Sequence, residues 1–304
     1  MPSFVQGPVR VRVPATSANL GPGFDSAGLC LALHDEVEVA LAAPGELLLD
    51  VRGEGAESLT RQGRRHLVVA SLHRALDLMG ARPPGLAVRC TNRIPQSRGL
   101  GSSSAAIVAG VLAARALVEG GEVLLDDDAV LRLADEVEGH PDNVAACLRG
   151  GFTLAWTGED GVRVVRRDAA PDLLPVVLVP QQRSSTKEVR GLLPPQVPHA
   201  DAAANAARAA LLALAVTSDP SLLLAATEDR LHQAYRAPAM PGTAALVARL
   251  RAQGWPAVVS GAGPTVLVLA TRAVAQEVVA SAPDDWDAST VEVDEAGAVV
   301  LPPV

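Results

Sequence analysis

Three glycine-rich segments carry the residues of this 304-residue chain best suited to chemistry. The middle one, Pro95-Gln96-Ser97-Arg98-Gly99-Leu100-Gly101-Ser102-Ser103-Ser104-Ala105, lies between a strand pattern and a long helix pattern. Glycines let the backbone approach an anion closely, successive amides can point into one concavity, and the N-terminus of the following helix adds a positive dipole. Serine hydroxyls there can donate to phosphate oxygens or ligate a hard cation such as Mg²⁺. The segment is a phosphate cradle in outline, with a plain loop carrying serine N-caps as the competing reading. It is not a Walker loop, because no lysine follows the glycines, nor a dinucleotide fingerprint, which would need glycine where Ser104 stands. The first segment, Pro14-Ala15-Thr16-Ser17-Ala18-Asn19-Leu20-Gly21-Pro22-Gly23-Phe24-Asp25, comes directly off a strand. Alone it could equally be a tight turn in which Asn19 and Asp25 bond their own backbone. The third, Ser260-Gly261-Ala262-Gly263-Pro264-Thr265, sits between two short apolar strands and reads as a hairpin connection as readily as a ligand loop.

Taken together, the order and spacing of the three segments resemble the GHMP superfamily of small-molecule kinases, over nearly the whole chain. Within it, PATSANLGPGFD and EGHPDN at 138–143 are similar to the branch that phosphorylates L-homoserine, as are Ser185-Thr186-Lys187-Glu188-Val189-Arg190 and Asp229-Arg230-Leu231-His232-Gln233-Ala234-Tyr235-Arg236. The resemblance implies transfer of the γ-phosphoryl of ATP to the side-chain hydroxyl of L-homoserine, in threonine biosynthesis, with Mg²⁺ as the second cofactor. It implies an α+β GHMP kinase fold: an N-terminal domain like domain 2 of ribosomal protein S5 (1–165), packed on a ferredoxin-like C-terminal domain (166–304). The site would lie between them, and the resemblance allows a homodimer.

The same resemblance implies a role for each motif. The backbone of 99–104, within the segment from Pro95 to Ala105, would wrap the ATP phosphates, and Ser102 or Ser103 with Glu138 would hold Mg²⁺, Glu136 being the alternative carboxylate. Asn19, Asp25, His140 and Asn143 would meet the ammonium and hydroxyl ends of homoserine, with Gly263 also at the substrate. Arg190 and Arg236 suit its carboxylate, which a guanidinium binds bidentately. Thr186 would lie near the transferred phosphoryl. Asp142 is the candidate general base and His140 the other, although a loose transition state can dispense with a base. One departure stands out: where such kinases often have Asn near the nucleoside, this chain has Arg64-Arg65-His66-Leu67-Val68-Val69. His66 reads as an exposed helix-start residue rather than as a substitute contact to adenine.

Elements must position these residues. Alternating patterns predict strands over 9–13, 37–41 and 86–90, and helical periodicity predicts helices over 67–79 and 102–118 and from 126–128 to Gly139. Strands are expected over 152–157, 162–166 and 175–180, then helices over 200–216, 221–235 and 243–253, strands over 257–260 and 265–270, a further helix and a final strand pair. The mixture lacks regular alternation, which selects α+β with a seam near 160–180.

Composition narrows the function classes. With 49% apolar and 20% charged residues the chain can bury a substantial core, which excludes disorder. A net charge of -8 argues against nucleic acid, whose affinity comes mostly from Lys and Arg. Three Trp, one Tyr and three Phe leave adenine to aliphatic packing. Cys30, Cys90 and Cys147 show no metal or disulfide spacing and read as small buried hydrophobes in a reducing cytoplasm. No run of about 18 apolar residues suggests a membrane span or anchor.

Overall fold

The computed structural model describes residues 2–182 and 186–302. Its first part runs β1 (Val9–Ala18), β2 (Ala27–Leu41), β3 (Leu47–Gly53), the short α1 (Ala56–Thr60), α2 (Leu67–Leu78), β4 (Leu86–Asn92), α3 (Ser102–Leu117), the one-turn α4 (Gly121–Leu124), α5 (Asp127–Glu138) and α6 (Pro141–Arg149). Then follow β5 (Phe152–Gly158), β6 (Gly161–Arg167), β7 (Val176–Pro180), α7 (Thr186–Arg190), α8 (His199–Thr217), α9 (Leu223–Ala226), α10 (Gln233–Arg236) and α11 (Pro241–Ala252). The chain finishes with β8 (Ala257–Val259), β9 (Val266–Val268), α12 (Ala275–Ala280), β10 (Trp286–Thr290) and β11 (Val299–Leu301).

The strands form two sheets. One has the order β11-β1-β2-β4-β3, with β5 paired to β2 and β6 to β5; the other has the order β10-β7-β9-β8. β2 is long enough to serve two partners: residues 36–41 pair with β4 while 27–29 pair with β5. Only its β4-facing half alternates between buried and partly exposed residues; its first five residues are all buried. β7 is buried at every position, as expected of an apolar run covered on both faces.

Helix α3 lies in the centre of the core, with Ile107, Val108, Val111 and Leu112 buried. A glycine brings α2 against it: a Cβ added at Gly110 would sit 2.4 Å from the carbonyl oxygen of Val68 and 3.0 Å from the amide nitrogen of Leu72. α5 begins at an N-cap, Asp126, which accepts the Ala129 N–H at 2.7 Å, and ends at Gly139 with φ 87°. All three cysteines are free and buried, and burial raises their thiol pKa values, that of Cys90 to about 12. Among the described residues no helix is long and apolar enough to cross a membrane.

Four local expectations need correction. The helix over 221–235 is interrupted: α9 stops at Ala226, and the buried side chain of Asp229 then accepts the N–H groups of Leu231, His232 and Gln233. Those acceptors start a separate turn, α10. The last two strands do not pair with each other, since β10 joins β7 and β11 returns to β1. β3 was not expected because, as an edge strand parallel to β4, only Val51 of it is buried. Finally, His66 is buried, with 3% of its surface exposed, rather than solvated at the start of α2.

Candidate active site

The turn after β4 is set by Asp35 of β2, which accepts the N–H groups of Arg93 (2.6 Å) and Ile94 (2.9 Å) through Oδ1. From there the backbone takes left-handed conformations at Ser97 (φ 59°), Gly99 (φ 80°) and Gly101 (φ 68°) before α3 begins at Ser102. The result is a loop ending on the N-terminus of a 16-residue helix, the arrangement that receives phosphate.

The first and third segments close on this loop. Ser260 Oγ bonds the carbonyl of Gly99 (2.6 Å) and Ser17 Oγ (2.8 Å), the Thr265 N–H bonds the Arg98 carbonyl (3.2 Å), and the Thr16 N–H bonds the Leu100 carbonyl (3.1 Å). The third segment is the hairpin connection between β8 and β9, and Gly261, Ala262 and Gly263 of it line the cavity. A Cβ at Gly99 would lie 2.3 Å from the Ser260 carbonyl oxygen, at a φ that L side chains rarely adopt. Gly99→Ala is expected to destabilise the fold by about 1–3 kcal/mol; a thermal melt checks this.

The first segment stores strain. Asn19 (φ 69°), Leu20 (φ 47°) and Asp25 (φ 55°) all hold left-handed conformations, which cost Leu20 about 1–2 kcal/mol and the two short polar residues less. Asn19 makes this tolerable: its Nδ2 donates to the Gly261 carbonyl at 2.8 Å and its Oδ1 accepts the Asp25 N–H at 3.0 Å. Asp25 is thereby presented to Arg190 of α7, whose guanidinium donates to both carboxylate oxygens at 2.6 and 3.0 Å. That bond raises the Arg190 pKa. Arg236 of α10 faces the same point with 2% exposure, and burial followed by the nearby Arg190 lowers its pKa. The Phe24 ring lies 5.5 Å from the Arg190 guanidinium and 5.2 Å from that of Arg236.

At the start of α6, His140 is the N-cap residue and its Nδ1 lies 3.4 Å from Asp142 Oδ1. The carboxylate raises the His140 pKa. Asp142 is buried and its Oδ1 also accepts the Asn143 N–H at 2.7 Å, while Asn143 Oδ1 accepts from Thr16 Oγ1 at 2.8 Å. Across the loop, Glu138 Oε1 accepts from Ser103 Oγ (2.6 Å) and Ser104 Oγ (2.9 Å). Glu138 occupies the last turn of α5, where the macrodipole disfavours a carboxylate, so its place is not explained by helix stability. Glu136 points away to Arg74 at 3.5 Å and is exposed.

One cavity of about 500 Å³ reaches Asn19, Asp25, Glu138, His140, Asp142, Arg190 and Arg236. Its polar end carries Asp25, Arg190, Arg236, His140 and Asp142; the glycine loop also lines it, as do the aliphatic side chains Val37, Leu59, Leu67, Val68, Ala106 and Ala109. The chain matches the model of the GHMP kinases N terminal domain over residues 66–151 and that of the GHMP kinases C terminal over 201–288. It is 59% identical to homoserine kinase of Streptomyces coelicolor, covering 99% of this chain and 97% of that protein, and 50% identical to that of Clavibacter michiganensis, covering 96% and 93%. The chain belongs to the homoserine kinase family. Among solved structures, homoserine kinase from Cytophaga hutchinsonii superposes with a TM-score of 0.83 at 27% identity, covering 98% of this chain and all of that one. Mevalonate kinase from L. major shares the fold alone, with a TM-score of 0.65 at 17% identity over 96% and 98% of the two chains. The α+β GHMP kinase fold is thus this chain's own, and it is an ATP-dependent kinase with a hydroxyl acceptor.

Within this homoserine kinase family member, the structure gathers most of the residues singled out by sequence. Asn19, Asp25, His140, Asp142, Asn143, Arg190, Arg236 and Gly263 line the cavity, as do Gln96, Ser97, Gly99, Gly101, Ser102, Ser103, Ala105 and Glu138. Pro95, Arg98, Leu100 and Ser104 do not. Arg98 turns outward to the carbonyls of Pro180 (2.8 Å) and Gln181 (2.9 Å), so it ties the loop to the end of β7, and Leu100 is buried in the core. Ser104 faces Glu138 instead. Thr186 opens α7, but its side chain lies outside the described residues, as does Ser185. Sequence reasoning overlooked Asp35 and His232. Both act through backbone partners distant in the chain, and only the unusual burial of a polar residue marks them.

Proposed function

We propose that the chain transfers the γ-phosphoryl of ATP to the side-chain hydroxyl of L-homoserine, giving O-phospho-L-homoserine and ADP. The observation that carries this reading is a single cavity in which a phosphate-binding loop faces charges of both signs, Asp25 beside Arg190 and Arg236. A zwitterion with a hydroxyl tail matches that end: its ammonium meets Asp25 and its carboxylate the guanidinium groups. The loop amides and the α3 dipole would hold the nucleotide phosphates beside the hydroxyl. Phosphoryl transfer depends mainly on such positioning and on charge neutralisation.

Glu138 with Ser103 fits Mg²⁺. One carboxylate and one hydroxyl beside the phosphate loop leave room for phosphate oxygens and water, the mixed shell this cation prefers. No cluster of three or more His, Cys, Asp or Glu side chains among the described residues forms a metal cage of its own. The cation would neutralise phosphate charge during transfer. Asp142, held in place by the Asn143 N–H, is the group we assign to take the hydroxyl proton. The reading includes two domains, 1–165 and 166–304, meeting at the cavity. The separate sheets support it, while the α8 residues Leu212, Ala215 and Val216 and the strand β11 reach back to the first domain.

The aliphatic part of the lining is assigned to the nucleoside. His66, in the same cavity wall, supplies a buried Nδ1 without a hydrogen-bond partner. Burial lowers the His66 pKa below 6.5, so the ring is neutral at pH 7 and the unfolded chain takes up that proton first as the pH falls. The contribution of this ring to stability is therefore whole above 6.5 and declines below it. His66→Leu is expected to raise the KM for ATP by about tenfold, the worth of one buried hydrogen bond, with the KM for homoserine unchanged. Equal effects on both would move His66 out of the nucleotide site.

A coupled assay of ADP release with L-homoserine, L-serine, mevalonate and galactose, each with ATP and Mg²⁺, tests the function. Turnover is expected with homoserine far above the others; turnover of mevalonate without homoserine refutes the assignment.

A further inference from the structure

We propose that His232 is a positioning residue that aims the Arg236 guanidinium at the substrate carboxylate by accepting a hydrogen bond from it. The proposal deepens the reading of the polar end as an amino-acid site and rests on it.

His232 is fully buried, yet it is neither in the glycine loop nor in the cavity wall. Its backbone is fixed from two sides. Asp229 accepts the N–H groups of Leu231 (2.9 Å), His232 (3.2 Å) and Gln233 (2.7 Å), and Gln233 Oε1 accepts the Val259 N–H (2.6 Å), tying this turn to β8. The imidazole stacks on Phe24 with ring centres 5.1 Å apart and planes 27° apart. Rotation of the ring is thus closed off.

The two ring nitrogens have partners of opposite kind. Nε2 lies 2.8 Å from the Gly21 carbonyl oxygen, which can only accept, and Nδ1 lies 3.2 Å from Arg236 Nη1, which can only donate. The partners therefore fix a neutral ring with its proton on Nε2. Arg236 stands one helical turn after His232, and its Nη1 also donates to the Gly261 carbonyl at 3.3 Å. With Nη1 held between two acceptors and the Phe24 face 5.2 Å from its carbon, the guanidinium plane has one orientation. Its Nε is buried without a partner. A carboxylate arriving from the cavity would find a pre-oriented donor rather than a free arginine, which lowers the ordering cost of binding. Asp229 Oδ1, 3.7 Å from Nε2, the Gly21 carbonyl and Asp25 favour a charged ring, whereas burial and Arg236 oppose it. Burial is the larger influence and lowers the pKa, in agreement with the neutral ring that the partners require.

Two measurements test this. In the unaltered protein at about pH 7, nitrogen-15 NMR of the histidine rings is expected to show His232 neutral and protonated on Nε2; an Nδ1-protonated ring or an imidazolium overturns the proposal without any variant. In steady-state kinetics, His232→Leu is expected to raise the KM for homoserine by about tenfold or more, with the KM for ATP within about twofold. His232→Asn, whose Oδ1 can stand where Nδ1 stood, is expected to recover most of that loss. A general packing defect would raise both KM values together or leave Asn no better than Leu, and either result overturns the positioning role. Absence of homoserine turnover in the unaltered protein would sink the substrate assignment and the proposal with it. Normal turnover with the wrong ring tautomer would sink the proposal alone.

Discussion

Glu138→Gln is expected to lower kcat by at least about a hundredfold, the scale on which removal of one pre-placed electrostatic contact acts in a transition state. The amide has the shape of the carboxylate and can still accept from Ser103 and Ser104, so the fold and the loop should be retained while the negative charge is lost. Because the charge is proposed to hold Mg²⁺, the activity that remains should saturate at higher Mg²⁺ than in the unaltered protein. Glu136→Gln is the control: it is exposed, its ion pair with Arg74 is 3.5 Å long, and such pairs contribute about 0–1 kcal/mol. It should leave kcat and the Mg²⁺ requirement unchanged within about twofold. Comparable losses in the two variants, or a loss confined to Glu136→Gln, would remove Glu138 from the metal. The same contrast explains why a carboxylate persists in the last turn of α5, where it opposes the helix dipole.

What the sequence made legible was local. The glycine loop could be read because glycines, serines and the helix that follows are contiguous, and the backbone is left-handed at Gly99 and Gly101, where only glycine is at ease. α5 could be bounded at Asp126 and Gly139 because caps are written within a few residues of the helix they close. The failures involve contacts between distant parts of the chain. His66 looked solvated beside Arg64 and Arg65, but tertiary packing buries it in the cavity wall. Asp35 reaches 58 and 59 residues along the chain to set the turn before the loop, and His232 reaches back 211 residues to Gly21. No periodicity encodes such contacts. The break after α9 was hidden for the same reason, since 221–235 contains good helix formers and the buried Asp229 that interrupts them looks like any surface aspartate in the sequence. Arg98 is a residue of the same motif whose side chain instead ties the loop to the end of β7.

Arg236→Met is expected to raise the KM for homoserine by about a hundredfold or more while leaving the KM for ATP within about threefold, and to leave the fold equally or more stable. The two halves of this result share one cause. Arg236 is 2% exposed, and among the described residues no carboxylate lies within salt-bridge distance; its Nη1 is held by a carbonyl and an imidazole, and its Nε has no partner. A buried cation in that state is a cost to folding, and burial lowers its pKa accordingly. Replacing such a charge by an apolar side chain of similar length is often neutral or stabilising. The substrate carboxylate supplies the missing partner, and loss of a buried charged contact of this kind costs about 2–5 kcal/mol of binding. Arg190→Met should behave differently. Arg190 is already paired with Asp25, so its removal leaves that carboxylate alone and repulsive to the substrate carboxylate, yet attractive to the ammonium. It should weaken homoserine binding without stabilising the fold. If Arg236→Met instead lowers the melting temperature by several degrees and raises both KM values together, the arginine is part of the scaffold and the carboxylate must be bound elsewhere. A gain in stability joined to a loss confined to homoserine would mean that the fold carries an unpaired charge whose counter-ion is the substrate itself.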